Sequence, residues 1–430
     1  MFLSLIATLS IVSPQGQSPI DLTLAERYFQ EAKWISDDDA GKLWGQPIYG
    51  RLLFVDPSTR AMVANMEPPE TGFSKVGSVF TGTLPPQIGI ANYSFAWKNQ
   101  LWSMVMWPLP ENRAERSTLV IHELFHKIQP ALGIPQASPK NAQMETYDGR
   151  LWLQIELRAL SEALYATDQK ERERAGGKAL LFRQMRYRKF PDAKKEEDAL
   201  ELNEGLAQYT GYMLRGGWEP ESRLWLANQL RTAVGLDTYA RRFAYFTGTA
   251  YAFLLNVAEA NRFDEVRWRK QIKPDMSLAD TYAKTIGADL STGEKEIIEL
   301  AKPYGYENLQ ISEGIRDRER QARRQEIIKA YVDGPILEFP MVKMNISFNP
   351  STVFPMNSEG TFYPTATLIN EWGTLEVSDG VLISSDFKSA IVKAPKSAGD
   401  LSGPGWKLTL SPGWKIAPGS KPGSFRLVKA

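Results

Sequence analysis

Two histidines and one glutamate form the part of this sequence whose spacing could do chemistry. The chain has only two histidines in 430 residues, and they stand four positions apart as His122 and His126, with Glu123 directly after the first. On an α-helix, positions i and i+4 lie on one face, so both imidazoles can bind one metal ion while the glutamate reaches a bound water. The H-E-x-x-H spacing therefore predicts a zinc site of the kind that hydrolases use.

The competing interpretation is a surface helix whose three polar side chains are simply solvated. Against it, the motif is surrounded on nearly every side of the helix by apolar residues: Leu119, Val120, Ile121, Leu124, Phe125 and Ile128. A helix that is apolar all round is buried, and its buried imidazoles need a partner, which a shared Zn²⁺ would provide. Ser117 is the predicted N-cap of this helix, and Pro130 predicts that the helix ends at Gln129.

The composition of the whole chain excludes several other classes of function. With 43% hydrophobic and 11% aromatic residues, the 430-residue chain predicts a globular protein of two or three domains. The 51 basic residues are balanced by 50 acidic ones, so no excess charge favours a nucleic-acid partner. Cysteine is absent, which leaves His, Asp and Glu side chains as metal ligands.

Residues 1–18 are typical of a secretory signal peptide, because an apolar run is followed by polar, turn-rich residues. We therefore expect an exported protein, periplasmic or extracellular. The apolar run is too short to cross a bilayer, and no later stretch approaches the about 20 apolar residues that a membrane helix needs. Stable membrane insertion is not expected.

The secondary-structure patterns predict an α+β protein in three parts after this segment. Residues 19–115 begin with a helix and continue with short aromatic and β-branched runs, which predict an antiparallel sheet. Residues 116–330 are predicted to form a mainly helical domain that contains the motif. Residues 331–430 show short strands punctuated by Gly and Pro, and we expect a separate all-β module, a small sandwich or barrel.

A zinc ion held by two histidines needs a third protein ligand and an open position for water. Because the chain has no third histidine, that ligand must be Asp or Glu. Three glutamates lie within apolar helical patterns downstream, namely Glu156, Glu201 and Glu204. Gly205 leaves room for a close neighbour such as another helix, which favours Glu204 but leaves the other two open.

Two short motifs resemble those of aminopeptidase-type gluzincins, which are zinc peptidases with H-E-x-x-H and a downstream glutamate. Residues 122–126, HELFH, resemble the H-E-L-x-H form, and residues 202–207, LNEGLA, look like the N-E-G-x-A element. This resemblance implies a zincin-like catalytic domain with Glu204 as the third zinc ligand. A much shorter gap separates the two motifs in the aminopeptidases than the 77 residues, 127–203, found here. The additional chain must form a helical excursion that returns to the metal.

A third segment, residues 245–255, resembles the Y-x-x-G-x-x element of the same peptidases. The resemblance implies that the Tyr245 hydroxyl donates to the oxyanion formed during hydrolysis. A phenol suits this task because it is neutral at pH 7 and can donate without competing for the metal. The alternative is that Tyr245 is an ordinary aromatic residue of the core.

The interpretation that combines these features is a zinc metallopeptidase with a peptide or protein substrate and Glu123 as general base. In many zinc peptidases an exposed edge strand receives the substrate backbone, and residues 90–94 are the candidate for that strand, with an ordinary paired strand as the alternative. Two other functions remain open. One is hydrolysis of a non-peptide bond at the same zinc site, and the other is an inactive protein that binds peptides or glycans.

Overall fold

A computed structural model describes the chain in five stretches: residues 20–216, 219–263, 266–342, 345–349 and 352–430. The predicted signal peptide, residues 1–18, lies outside them. Within these stretches, internal contacts divide the chain into two compact units, residues 20–313 and 314–430. The protein is α+β, since helices dominate the first unit and strands the second. Among the helices in the five stretches, none combines the length and apolar character needed to span a bilayer.

Six short strands of the first unit form one sheet: β1 (Leu52–Val55), β2 (Ala61–Ala64), β3 (Ser74–Val76), β4 (Val79–Thr83), β5 (Tyr93–Trp97) and β6 (Gln100–Met106). Their order is β3-β4-β2-β1-β6-β5. The prediction of an antiparallel sheet is wrong at one pair, because β1 and β6 run parallel with Leu52 opposite Ser103. Strands β2 to β4 lie on one side of β1 in the sheet. Strand β6 pairs with the other side of β1 and runs in the same direction as β1.

Strand β5 is an edge of this sheet and forms a hairpin with β6. The turn residues Lys98 and Asn99 have φ angles of 44° and 65°, and two positive φ angles are what a type I′ turn requires. The aromatic runs on either side of residues 98–100, Lys-Asn-Gln, favour a hairpin at this place. Since β6 ends at Met106, the sheet leads within a few residues into the helix that carries the motif.

The helices of the first unit are α1 (Leu22–Asp39), α2 (Arg113–Ile128), α3 (Tyr147–Tyr165), α4 (Gln169–Lys189), α5 (Ala193–Leu200), α6 (Leu206–Leu214), α7 (Glu219–Thr232), α8 (Phe243–Phe263), α9 (Leu278–Ile286) and α10 (Glu294–Ala301). Helix α11 (Tyr306–Ile328) contains the division between the units. A π-helical turn, Glu201–Gly205, joins α5 to α6. Helix α2 packs against α6, and α3 packs against α4 and α7, so the excursion returns as predicted to the motif helix.

Helix α2 begins earlier than predicted. Asn112 is its N-cap and accepts a hydrogen bond from the Glu115 backbone N–H at 3.1 Å. Ser117, the predicted N-cap, lies inside the helix, where its hydroxyl donates to Glu31 at 2.8 Å. The apolar pattern indicates only where the buried face of the helix begins. The helix itself extends further towards the amino terminus, as far as a side chain that can cap it. Its α-helical part ends at Ile128, one residue before the predicted end.

The strands of the second unit form two open sheets. The larger has the order β17-β18-β7-β14-β13-β10-β9, and the smaller β15-β16-β12-β11-β8. Their bounds are β7 (Ile336–Pro340), β8 (Ile346–Phe348), β9 (Phe354–Pro355), β10 (Thr361–Tyr363), β11 (Ala366–Asn370), β12 (Gly373–Val377), β13 (Val381–Ile383), β14 (Ser389–Lys393), β15 (Ser402–Gly403), β16 (Trp406–Leu410), β17 (Trp414–Pro418) and β18 (Phe425–Lys429). One buried cluster contains side chains from both sheets, such as Leu337 and Leu375. This is the β-rich region that the turn-punctuated sequence predicted.

Candidate metal centre

Helix α2 places the two imidazoles side by side in the interior of the first unit. The Nε2 atoms of His122 and His126 lie 3.2 Å apart, and both side chains are buried. Leu124 and Phe125 between them are completely buried in the main hydrophobic core. The motif helix is therefore an interior helix, and the interpretation of a solvated surface helix is wrong.

Glu204 meets the two imidazoles after the helical excursion. Its Oε2 atom lies 3.2 Å from His122 Nε2 and 3.6 Å from His126 Nε2. The ligand atoms of all three residues lie within 4.8 Å of one another. Tetrahedral ligands about 2 Å from a zinc ion stand about 3.3 Å from one another, so these distances are close to those that one ion requires.

The π-helical turn that carries Glu204 is held against α8 at close range. A Cβ atom on Gly205 would lie only 2.8 Å from the Cα atom of Gly248, so the two backbones touch at this point. The Thr249 hydroxyl adds a hydrogen bond of 3.1 Å to the Gly205 carbonyl. The prediction that Gly205 accommodates a neighbouring helix is confirmed, and this contact sets the depth at which Glu204 enters the site.

Two amide side chains determine which nitrogen of each imidazole faces the cluster. His122 Nδ1 lies 3.1 Å from the Oε1 atom of Gln208, and His126 Nδ1 lies 2.8 Å from that of Gln129. Because an amide oxygen only accepts, each Nδ1 carries a proton and donates it. Each Nε2 is thereby left to bind a ligand, which is the arrangement that holds histidines at metal sites.

Asn203 links the Gln129 amide to the third member of the cluster. Its Oδ1 atom accepts from Gln129 Nε2 at 2.8 Å, and its Nδ2 atom donates to Glu204 Oε1 at 3.1 Å. Sequence reasoning did not single out the roles of Gln129, Asn203 or Gln208. The available signal was their position: Gln129 follows His126 by three residues, and the other two flank Glu204, all within apolar helical segments.

Glu123 lies in the same interior region, and the residue is only 5% exposed. Its Oε2 atom is buried and accepts no hydrogen bond from any residue that the structure describes. Burial raises the pKa of this carboxyl group, against the effect of the two imidazoles. Its backbone carbonyl is held by the hydroxyls of Ser94 on β5 and Ser103 on β6, each at 2.8 Å. The helix thus fixes a carboxylate with unused acceptor capacity beside the cluster.

Tyr245 on α8 contacts two members of the cluster, Glu204 and His122. Its hydroxyl donates to Glu204 Oε2 at 2.6 Å. Its ring stacks on that of His122, with centroids 5.4 Å apart and an angle of 1° between the planes. Burial, followed by the negative charge of Glu204, raises the pKa of the phenol well above its ordinary value. The group is therefore a neutral hydrogen-bond donor at physiological pH.

The imidazoles and carboxylates of the cluster shift one another's pKa values. Burial lowers the pKa of His126, but its hydrogen bond to Glu204 and the neighbouring carboxylates outweigh burial and raise the pKa to about 9. Burial raises the pKa of Glu204, but the hydrogen bonds and charges of His122 and His126 outweigh it and hold the pKa far below its ordinary value. This site therefore stabilises an ionised carboxylate together with one positive charge, which a proton or a metal ion can supply.

Glu156 and Glu201, the two alternative candidates for the third ligand, form ion pairs with arginines. Arg183 donates through Nε to Glu156 at 2.7 Å and through Nη1 to Glu201 at 3.0 Å. Arg186 donates through Nη1 to Glu156 at 2.8 Å. Of the three candidate glutamates, only Glu204 lies in the cluster with the histidines.

The predicted substrate-binding edge, residues 90–94, is only partly a strand. Strand β5 begins at Tyr93, because the Oδ1 atom of Asn92 accepts from the Met106 N–H at 2.8 Å and occupies a donor that a longer strand would pair with. The edge position of β5 agrees with the prediction. Ser94 connects this edge strand to the carbonyl of Glu123.

The cluster could hold a metal ion through two imidazole Nε2 atoms and one carboxylate oxygen, and outer hydrogen bonds orient each of these groups. The buried Glu123 Oε2 atom, which has no hydrogen-bond partner in the described part of the chain, lies near this set. No protein-family model, no curated protein and no solved structure matches the chain. The function must therefore be argued from the geometry of this site.

Proposed function

We propose that this protein is a zinc-dependent hydrolase that cleaves peptide bonds with a gluzincin-like catalytic domain. The observation that carries the proposal is the convergence of Glu204 on His122 and His126, across 77 intervening residues. Beside them lies the buried Oε2 atom of Glu123, which has no hydrogen-bond partner among the described residues. Buried polar groups without partners are costly, and native proteins retain them mainly where they are used.

The donor set favours zinc. Two histidines and one glutamate make up one of the ligand sets of catalytic zinc sites, which keep a further position open for water. When bound, zinc lowers the pKa of such a water towards 7 and polarises the carbonyl group under attack. His122, His126 and Glu204 would hold the ion, and the amides of Gln208 and Gln129 would orient the two imidazoles.

Two further side chains, those of Glu123 and Tyr245, would assist the reaction. Glu123 has the raised pKa and the free oxygen that a general base requires, and it would take a proton from water and deliver it to the leaving amine. Tyr245 supplies a neutral hydroxyl at the rim of the cluster, where it would donate to the oxyanion.

The edge strand supports a peptide as the substrate. An extended peptide can add to an exposed sheet edge through main-chain hydrogen bonds. Strand β5 is such an edge, and the Ser94 hydroxyl connects it directly to the backbone of Glu123. A peptide on this edge would pass the base and the metal ligands together.

The test is digestion of a peptide library by the purified full-length chain, read by mass spectrometry. We expect about one zinc ion per chain, cleavage that a chelator abolishes and zinc restores, and a loss on the order of a hundredfold or more in Glu123→Gln. The Glu123→Gln variant should still bind zinc, because this residue is not a ligand. Cleavage that survives both the chelator and Glu123→Gln would contradict the proposal. Zinc binding with hydrolysis of esters but of no peptide would retain the hydrolase and exclude the peptide substrate.

A further inference from the structure

The excursion between His126 and Glu204 builds a second buried group of charges, which we call the charge cluster. Its members are Glu156 on α3, Arg183 and Arg186 on α4, Glu197 on α5 and Glu201 in the π-helical turn. Each of these residues is at most 2% exposed. Charges so far from water must be held by one another, and removal of one partner leaves the others unpaired.

Arg183 is the member of the charge cluster that reaches the turn carrying Glu204. Its Nη1 atom donates to Glu201 Oε2 at 3.0 Å, and its Nη2 atom donates to the other oxygen of the same carboxylate. Its Nε atom donates to Glu156 at 2.7 Å. A two-pronged contact between guanidinium and carboxylate fixes orientation as well as distance. Since Glu201 is the first residue of the π-helical turn, this contact fixes where the turn begins.

Glu201 also connects this turn to α8. The Thr247 hydroxyl donates to Glu201, and the Cα atoms of Gly205 and Gly248 form the close backbone contact one turn away. Tyr245 lies on the same helix and donates to Glu204. The carboxylate of Glu201 is therefore the point at which α4, the π-helical turn and α8 meet.

We propose that Arg183 is a positioning residue for the third metal ligand: through Glu201 it holds the π-helical turn so that the Glu204 carboxylate stays within reach of both imidazoles. This inference rests on the proposed metal-binding function. It gives a role to the long segment between the two motifs. That segment brings the buried guanidinium group of Arg183 into contact with the π-helical turn that carries Glu204. Arg183 itself contacts neither imidazole and is not a ligand.

Arg186 provides a matched control on the same helix. It is as deeply buried as Arg183, and it shares Glu156 as a partner at 2.8 Å. Its other carboxylate partner is Glu197, which lies on α5 outside the π-helical turn. Substitution of either arginine by lysine keeps the charge and removes the two-pronged geometry. The two variants disturb the same charge cluster, but only one of them disturbs Glu201.

The experiment compares Arg183→Lys with Arg186→Lys in the full-length chain. Zinc affinity is measured by competition with a chelator, ligand geometry by the absorption spectrum of the cobalt-substituted protein, and stability by thermal unfolding of the metal-free protein. We expect both variants to unfold at lower temperature. Only Arg183→Lys should weaken zinc binding, by about tenfold or more, and change the cobalt spectrum, since outer-sphere substitutions typically reduce metal affinity about 10- to 100-fold.

A double substitution shows whether the effect passes through Glu204. In a Glu204→Ala background, Arg183→Lys should cause no further loss of affinity, because the ligand that it positions is gone. Equal losses of affinity in Arg183→Lys and Arg186→Lys, or a further loss in that background, would overturn the positioning role while leaving zinc binding intact. A wild-type chain that binds no zinc would overturn both proposals. If Arg183→Lys does not fold, Glu201→Gln keeps the size of the side chain and should give the same pattern.

Discussion

Two buried polar clusters lie in the first unit of this protein, and they differ in how their carboxylates are neutralised. In the charge cluster, Glu156 and Glu201 are both paired with arginine side chains. In the cluster of His122, His126 and Glu204, with Glu123 beside it, neither carboxylate has a lysine or arginine within ion-pair distance among the residues that the structure describes. Each carboxylate of the charge cluster has an arginine partner, whereas the other cluster has imidazoles in the place of permanent cations.

Glu156 and Glu123 are both buried, but the pKa values of their carboxyl groups shift in opposite directions. Burial raises the pKa of Glu156, but Arg183 and Arg186 outweigh it and hold the pKa below its ordinary value. Burial likewise raises the pKa of Glu123, and there the nearby imidazoles do not reverse the shift. A carboxylate matched by arginines is a structural group, whereas a buried carboxylate with a raised pKa and no partner is suited to take up a proton.

The largest effect is expected at the ligands themselves. His122→Ala, His126→Ala and Glu204→Ala should each lose the zinc that the wild-type protein retains through dialysis, because a three-ligand site with one ligand removed holds the ion far more weakly. Metal analysis of the dialysed proteins checks this. Full zinc content in any one of the three variants would remove that residue from the ligand set.

A substitution in the charge cluster should lower the stability of the protein without weakening zinc binding. Glu156→Ala removes a carboxylate that accepts hydrogen bonds from both Arg183 and Arg186. Breaking a buried ion pair in this way lowers the free energy of unfolding by about 3–5 kcal/mol. The free energy of unfolding of the metal-free protein, from urea titration, measures the loss. Zinc affinity should stay close to the wild-type value, because Arg183 keeps its contact with Glu201. Loss of zinc in folded Glu156→Ala would contradict this separation of stability from metal binding.

The parts of the site that lie close together in sequence were predictable from helical geometry alone. His122, Glu123 and His126 needed only the 3.6-residue period and the apolar surroundings to be placed on one buried helix. Gly205 predicted a close neighbour, and the neighbour is Gly248. The α+β class, the β5–β6 hairpin and the β-rich carboxyl-terminal region followed from local patterns of the same kind.

The parts that depend on distant partners could not be derived in the same way. Glu156, Glu201 and Glu204 all lie in apolar helical patterns, and what separates them is the position of Arg183 and Arg186 on another helix. The resemblance to gluzincin motifs favoured Glu204, but composition and periodicity did not exclude the other two. The parallel pairing of β1 with β6 is another non-local choice, since alternation along a strand does not specify the direction of its neighbour.

The smallest of these effects concerns the amide behind His122. Gln208→Leu keeps the volume of the buried side chain but removes the oxygen that accepts from His122 Nδ1 at 3.1 Å. Without that acceptor, the imidazole proton is free to move to Nε2, the nitrogen that must bind the ion, and the ring is no longer held in place. We expect zinc affinity to fall by about 10- to 100-fold, measured by chelator competition. Gln208→Glu retains an acceptor at the same distance along the side chain and should lose less affinity than Gln208→Leu. Equal affinity in Gln208→Leu and the wild-type protein would show that the orientation of His122 does not depend on this amide.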